Sequence, residues 1–231
     1  MKASTRSVTI LWLASFVPTF GLMKESESNE ISPIQIRLQA EESVDFELGQ
    51  AWLAKEQQLH TEGRVQLFCR EDALEVRATL TDRDVYTLSG NDNQPMWELG
   101  DVFEMFIQIA GNEDYFELHI TPNDTRFHAH KPNVPGTDPS TGEWQPIEHW
   151  LIDPIGFVAS STTKADGWNA MIEVPPALLG LESFAPGTQL RVSFARYDGG
   201  PDREPTLTAS APHRTPSFHQ PADWQPITLI Q

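Results

Sequence analysis

Glu104, Gln108, Glu117 and His119 stand where the chain can do chemistry, because they share a parity in two neighbouring apolar runs. Over residues 101–110, Asp101, Phe103, Met105, Ile107 and Ile109 alternate with Val102, Glu104, Phe106 and Gln108. Over residues 115–121, Phe116, Leu118 and Ile120 alternate with Tyr115, Glu117, His119 and Thr121. Side chains two apart on a strand share a face. The wholly apolar sets must meet a core, so the four polar side chains gather on the outward face. Arg126, His128 and His130 are expected to extend that face from the next strand, with Phe127 and Ala129 taking the other side.

Such a face is either the solvated side of a half-buried sheet or a site. As a metal site, His128 and His130 would offer two imidazoles, with His119 or Glu117 alongside, enough for Zn or Cu. As a hydrolase site, Glu104 and Glu117 would be the paired carboxylates of a glycosidase. No nucleophile elbow, phosphate loop or glycosidase motif accompanies them, so an enzyme is not expected. As a haem site, Met105 and His119 would have to share an iron, but they point to opposite faces. As a carbohydrate site, the face needs flat aromatic platforms for the apolar side of a sugar ring, with polar groups at its rim for the hydroxyls. Trp97 lies in the loop before Glu104, and Phe218 and Trp224 lie in a proline-bounded stretch near the C-terminus. Trp144, Trp150 and Trp168 could instead fold inward as plugs.

The elements that would position these groups are short strands. Residues 34–39, 64–70, 73–81, 101–110, 115–121, 125–130, 155–163, 168–174, 190–197 and 227–230 are rich in β-branched and aromatic residues, and turn signals separate them. Glu71-Asp72 and Gly111-Asn112-Glu113-Asp114 read as hairpin turns. One helical turn is expected at Pro176 to Leu179, closed by Gly180. Residues 131–154 form a long excursion holding Pro, Asp and Trp. The class is therefore all-β: a single antiparallel β-sandwich, jelly-roll-like, over residues 33–231. Eighteen Pro and 14 Gly spread along 231 residues suit many short strands and argue against long helices.

The formal net charge of -17 makes nucleic acid and anionic lipid surfaces poor partners. A single cysteine, Cys69, excludes an intramolecular disulfide and reads as a small buried hydrophobe. Lys2 and Arg6 precede an apolar run from Val8 to Met23, broken by Pro18 and Gly21. Residues 1–23 thus read as a signal peptide, which implies export to the periplasm or outside the cell. They read alternatively as a mis-assigned start, which would leave a cytoplasmic protein beginning at Met23. No membrane span is expected in the mature protein. Residues 24–32 read as a polar linker.

One ordered set of segments resembles the family 9 carbohydrate-binding modules. Trp97-Glu98-Leu99-Gly100-Asp101-Val102-Phe103-Glu104-Met105-Phe106 is similar to the family's Trp followed by Asp-x-x-Glu-x-Phe. Tyr115 to His119, Gly167 to Pro175, Leu178 to Gly180, Ser193 to Tyr197 and Ser217 to Trp224 resemble its later segments in the same order, so the likeness covers residues 64–231. The resemblance implies a sandwich related to the DOMON superfamily and a mono-, oligo- or polysaccharide held between two aromatic rings. On that reading Trp97 and Phe218 are the stacking residues. Glu104, Glu117 and His119, with Arg77 or Arg126, would contact the hydroxyls. Glu117 and His119 stand where well-studied members carry Arg and Asn, the Trp97-to-Glu104 spacing is one residue longer, and residues 206–212 lack the Trp often found there. The ligand is therefore not transferable, and a structural sandwich with a decayed sugar site stays open. No cofactor is expected. Structural calcium, which some members hold, would use Asp82, Asp84, Asp92 and Asp101, in no EF-hand pattern.

Overall fold

The computed structural model describes residues 31–38, 41, 43–58, 60–132, 146–153 and 156–231. In chain order the strands are β1 (Ile34–Arg37), β2 (Val44–Glu47), β3 (Gly63–Cys69), β4 (Leu74–Thr81), β5 (Val102–Ile109), β6 (Asp114–Ile120), β7 (Arg126–Pro132), β8 (Val158–Lys164), β9 (Gly167–Val174), β10 (Gln189–Gly200), β11 (Arg203–Ala209) and β12 (Gln225–Ile230). The helical segments among the described residues are single 3-10 turns. None is long and apolar enough to cross a membrane.

The strands form an antiparallel-rich β-sandwich. One sheet runs β1-β12-β10-β5-β6-β7, and β11 adds to β10; the other runs β2-β3-β4-β9-β8. Among the described residues the one parallel pairing is β1 with β12. Strand β10 is long enough to pair β12 through residues 189–192 and β11 from Ala195 onward. The alternation read from the sequence sets the core. Phe103, Met105, Ile107, Leu118, Ile120 and Phe194 of the first sheet meet Leu67, Leu74, Val76, Leu80, Trp168 and Ile172 of the second. Each such side chain contributes about 1.5–3 kcal/mol of hydrophobic burial. Trp168 is a core plug, and Cys69 is buried, its thiol pKa pushed up to about 12 by burial against the opposing pull of Arg70.

The outer face of the first sheet is not solvated over β5, β6 and most of β7. A second apolar layer covers it in two patches. Phe106, Tyr115, Ala195, Ala209, Phe218 and Trp224 form one. Met96, Val102, Phe127 and Ala129 form the other, with Trp97, Trp150 and Leu151 packed on them. Strands β2 and β11 lie outside the runs expected from the sequence: VDFE is half polar, and REPTLTA opens on charge and proline. The helical turn at Pro176–Leu179 is present, with Gly180 left-handed at φ 75°. The 131–154 excursion, including Trp144, lies largely outside the described residues.

Candidate functional site

The cross-strand register decides which side chains meet. Strands β5 and β6 place Glu104 opposite His119 and Phe106 opposite Glu117. Strands β6 and β7 place His119 opposite Phe127, Glu117 opposite Ala129 and Tyr115 opposite Lys131. Opposed residues share a face. Phe127, Ala129 and Lys131 therefore lie with Glu117 and His119, whereas Arg126, His128 and His130 lie opposite Ile120, Leu118 and Phe116 on the reverse face. This corrects the expectation that those three extend the polar face. The assumption that apolar Phe127 must seek the main core fails because the outer face has an apolar cover of its own. Phe127 stacks on His119 (centroids 4.5 Å, 22° between planes) and meets Trp97 edge-on. His128 is buried beside Phe157, where burial lowers its pKa. His130 stacks on Phe116 and lies 2.5 Å from Asp114. A metal site joining His128 and His130 to His119 or Glu117 is thereby excluded. Met105 and His119 likewise occupy opposite faces.

What the register does assemble is a buried polar row. His119 Nε2 lies 2.9 Å from Glu117 Oε1 and 3.4 Å from Glu104 Oε1. Lys131 Nζ lies 2.5 Å from Glu117 Oε2. Exposure is 2% at Glu104, 3% at Glu117 and 0% at His119. The two carboxylates are driven apart. Burial raises the Glu104 pKa to about 7, with the charge of Glu117 adding and that of His119 opposing. Burial also opposes ionisation of Glu117, but the charges of His219, His119 and Lys131 and the His119 hydrogen bond hold it below the usual carboxylate range. Gln108 turns away from this row and donates from Nε2 to the Asn112 carbonyl in the hairpin turn.

Aromatic residues border the row on both sides. Trp97 is half-buried and sits edge-to-face with His119 at 6.0 Å. Its 3-10 turn, Met96–Glu98, is fastened by the buried Met96 and by Asn93, which donates from Nδ2 to the Ile152 carbonyl and accepts the His128 N–H at Oδ1. Gly100, at φ 136°, brings the chain so close to the Tyr86 carbonyl that any Cβ would overlap it. Asp101 locks that crossing by accepting the Tyr86 and Gly199 N–H groups, and burial lifts its pKa to about 7. Beside Trp97 a cleft of about 250 Å³ continues past Tyr86, Leu88, Pro201 and Pro205. On the other side stands His219, which sequence reasoning did not single out. Its ring is 36% exposed, edge-on to Phe106 at 5.4 Å, and its Nδ1 lies 2.9 Å from the Tyr115 hydroxyl and 3.9 Å from Glu117 Oε2. Lys131 was missed as well; its parity with Glu117 is visible only once the β6–β7 register is known.

Three expected ligand residues lie elsewhere or are closed off. Phe218, expected as the second stacking ring, is 3% exposed and packed among Phe106, Trp52, Tyr197 and His213. Arg77 is on the outer face of the other sheet, over the Phe68 ring and paired with Glu75. Arg126 sits at the start of β7, with its N–H and guanidinium on Asp92. The calcium set is also divided. Asp82 and Asp84 meet Asp198, but Asp92 and Asp101 have the separate partners just given. The acidic trio lines a cleft of about 450 Å³. Arg196 and Arg203 already engage all three carboxylates.

No known family profile and no curated protein matches this sequence. Solved structures do match. A protein from Bacteroides uniformis, provisionally named carbohydrate-binding, superposes with TM-score 0.67 at 12% identity, over 86% of this chain and 99% of its own. A family 9 carbohydrate-binding module from Caldicellulosiruptor kristjanssonii, solved with cellotriose, gives 0.56 at 15% identity, over 86% and 94%. A family 9 module from the same organism, solved with glucose, gives 0.57 at 14% identity, over 86% and 95%. The fold is that of the family 9 carbohydrate-binding modules. Within that fold the polar row on β5 and β6 is bordered by the half-buried Trp97 and, on the C-terminal side, by His219, whose ring is exposed where that of Phe218 is enclosed.

Proposed function

We propose that this chain binds carbohydrate without transforming it, on the outer face of the first sheet between Trp97 and His219, in support of polysaccharide capture. The observation that carries the reading is the half-exposed Trp97 ring set against the buried Glu104–His119–Glu117 row. Ring stacking would hold the apolar side of a pyranose, and the carboxylates would accept from its hydroxyls. The likeness to modules solved with glucose and cellotriose supports a hexose or a short glucan as the first ligands to try. A glycosidase reading is disfavoured by geometry. The His119 imidazole lies within 3.4 Å of an oxygen of each carboxylate, in the space a scissile bond would need.

The test is calorimetric titration of the full chain with glucose, cellobiose, cellotriose and a panel of other mono- and oligosaccharides, alongside Trp97→Ala. Saturable binding is expected for at least one sugar. The variant should weaken it roughly 5-fold or more, the loss of about 1 kcal/mol or above that a stacking ring supplies. No binding by the folded wild type across the panel would leave a structural sandwich whose sugar site has decayed. Equal binding by Trp97→Ala would move the site off this face.

A further inference from the structure

Glu104 poses a problem that sugar binding alone does not resolve. Its carboxylate is 2% exposed, and the ion-pair partner it has among the described residues is His119 Nε2, 3.4 Å from Oε1. The neighbouring cation, Lys131, is engaged by the far oxygen of Glu117. The neighbouring donor, His119 Nε2, lies at hydrogen-bonding distance from Glu117 Oε1 and only within ion-pair range of Glu104. A buried carboxylate whose one ion-pair partner among the described residues is an imidazole shared with a second carboxylate is unfavourable, and buried charges are ordinarily paired more fully or bound to a metal.

We propose that Glu104, Glu117 and His119 form a binding site for a divalent first-row transition ion such as Zn²⁺. One ligand atom from each lies within 4.8 Å of the other two. Two of the spacings are 2.9 and 3.4 Å. Ligand atoms about 2.0–2.2 Å from a tetrahedral ion are separated by roughly 3.3–3.6 Å, so small side-chain shifts suffice. Two carboxylate oxygens and an imidazole nitrogen suit Zn²⁺, Co²⁺ or Mn²⁺ rather than a soft ion such as Cu(I). Lys131 engages Oε2 of Glu117, so Oε1 stays open to the ion while the ammonium competes with it for the charge of that carboxylate. This distinguishes the row from the Asp82–Asp84–Asp198 group, where two guanidiniums engage all three carboxylates. The site goes beyond the sugar-binding reading and does not depend on it.

The full chain, stripped with chelator and free of sugar, is titrated with Zn²⁺ by calorimetry and with Co²⁺ by visible absorption. One equivalent of each ion should bind, with Co²⁺ giving the intense bands of a tetrahedral site. Glu104→Gln, which preserves shape, and His119→Gln should each weaken binding by roughly 10-fold or more, at least the loss seen when residues outside the ligand shell are changed. Circular dichroism checks that both fold. Lys131→Met removes a competing ammonium without touching a ligand and should tighten binding. His130→Ala, on the reverse face, should leave it intact. The proposal fails if no single equivalent binds, if folded Glu104→Gln binds as the wild type does, or if His130→Ala abolishes binding. Because no sugar is present, those outcomes leave the carbohydrate reading standing, and a failed sugar titration leaves this one standing.

Discussion

Arg196→Met destabilises the folded chain by about 3–5 kcal/mol, the loss expected when one partner of a buried ion pair is removed. Arg196 lies on the core side of β10, opposite Phe103 of β5, and its side chain is 2% exposed. One amino group donates to the Thr81 carbonyl (2.7 Å) and the Thr61 hydroxyl (3.0 Å). The other donates to Asp82 (2.7 Å) and lies 3.3 Å from Asp198. The guanidinium thus ties the first sheet to the end of β4 in the second, where the loop carrying Trp97 begins. Methionine keeps the length but leaves Asp82 with a buried charge and no cation. Asp198 retains Arg203. The double variant Arg196→Met/Asp82→Asn should therefore recover most of the loss, because removing both charges is far milder than stranding one. Urea unfolding checks this through the midpoint at constant slope. A double variant as unstable as the single one would mean that Arg196 acts by packing and hydrogen bonding to Thr81, not by compensating Asp82.

The fold was legible where alternation had a single meaning. On β5 and β6 the apolar set meets the core, and Glu104, Glu117 and His119 share the opposite face. The β7 placement failed for a physical reason. Alternation says which residues share a face, not which face is inside, and here both faces are covered. Phe127 and Ala129 have an apolar destination under Trp97 as good as the main core. The same second layer explains Phe218. A loop aromatic was expected to be exposed, yet the layer over Phe106 and Tyr197 encloses it. Arg77 was out of reach for another reason: strand parity assigns it a face but not a sheet, and which sheet β4 joins is a long-range pairing. Strand β11, opening Arg-Glu-Pro, carries no strand signal, and its pairing follows from the length of β10.

Phe218→Ala should destabilise the chain by about 3–5 kcal/mol, as expected for truncating a buried aromatic, while affecting sugar affinity far less than Trp97→Ala. The ring lies 5.7 Å from Tyr197, 6.2 Å from Phe106 and 6.3 Å from Trp52, all in tilted or edge-on geometry. Its backbone carbonyl accepts the buried Trp224 indole N–H, so the residue anchors the closing segment from both main chain and side chain. A platform must offer an open face, and this ring is enclosed on several sides. Phe218→Leu separates the two roles. Leucine keeps much of the buried volume and removes the aromatic face, so the folded variant should bind sugar as the wild type does in the same calorimetric titration. A loss in Phe218→Leu matching that of Trp97→Ala would mean that the closing loop opens on binding and Phe218 meets the sugar after all. Retained binding, together with a loss in His219→Ala, would assign the second border to the imidazole. The ligand would then lie between an indole and a titratable ring hydrogen-bonded to Tyr115, in place of a pair of purely apolar platforms.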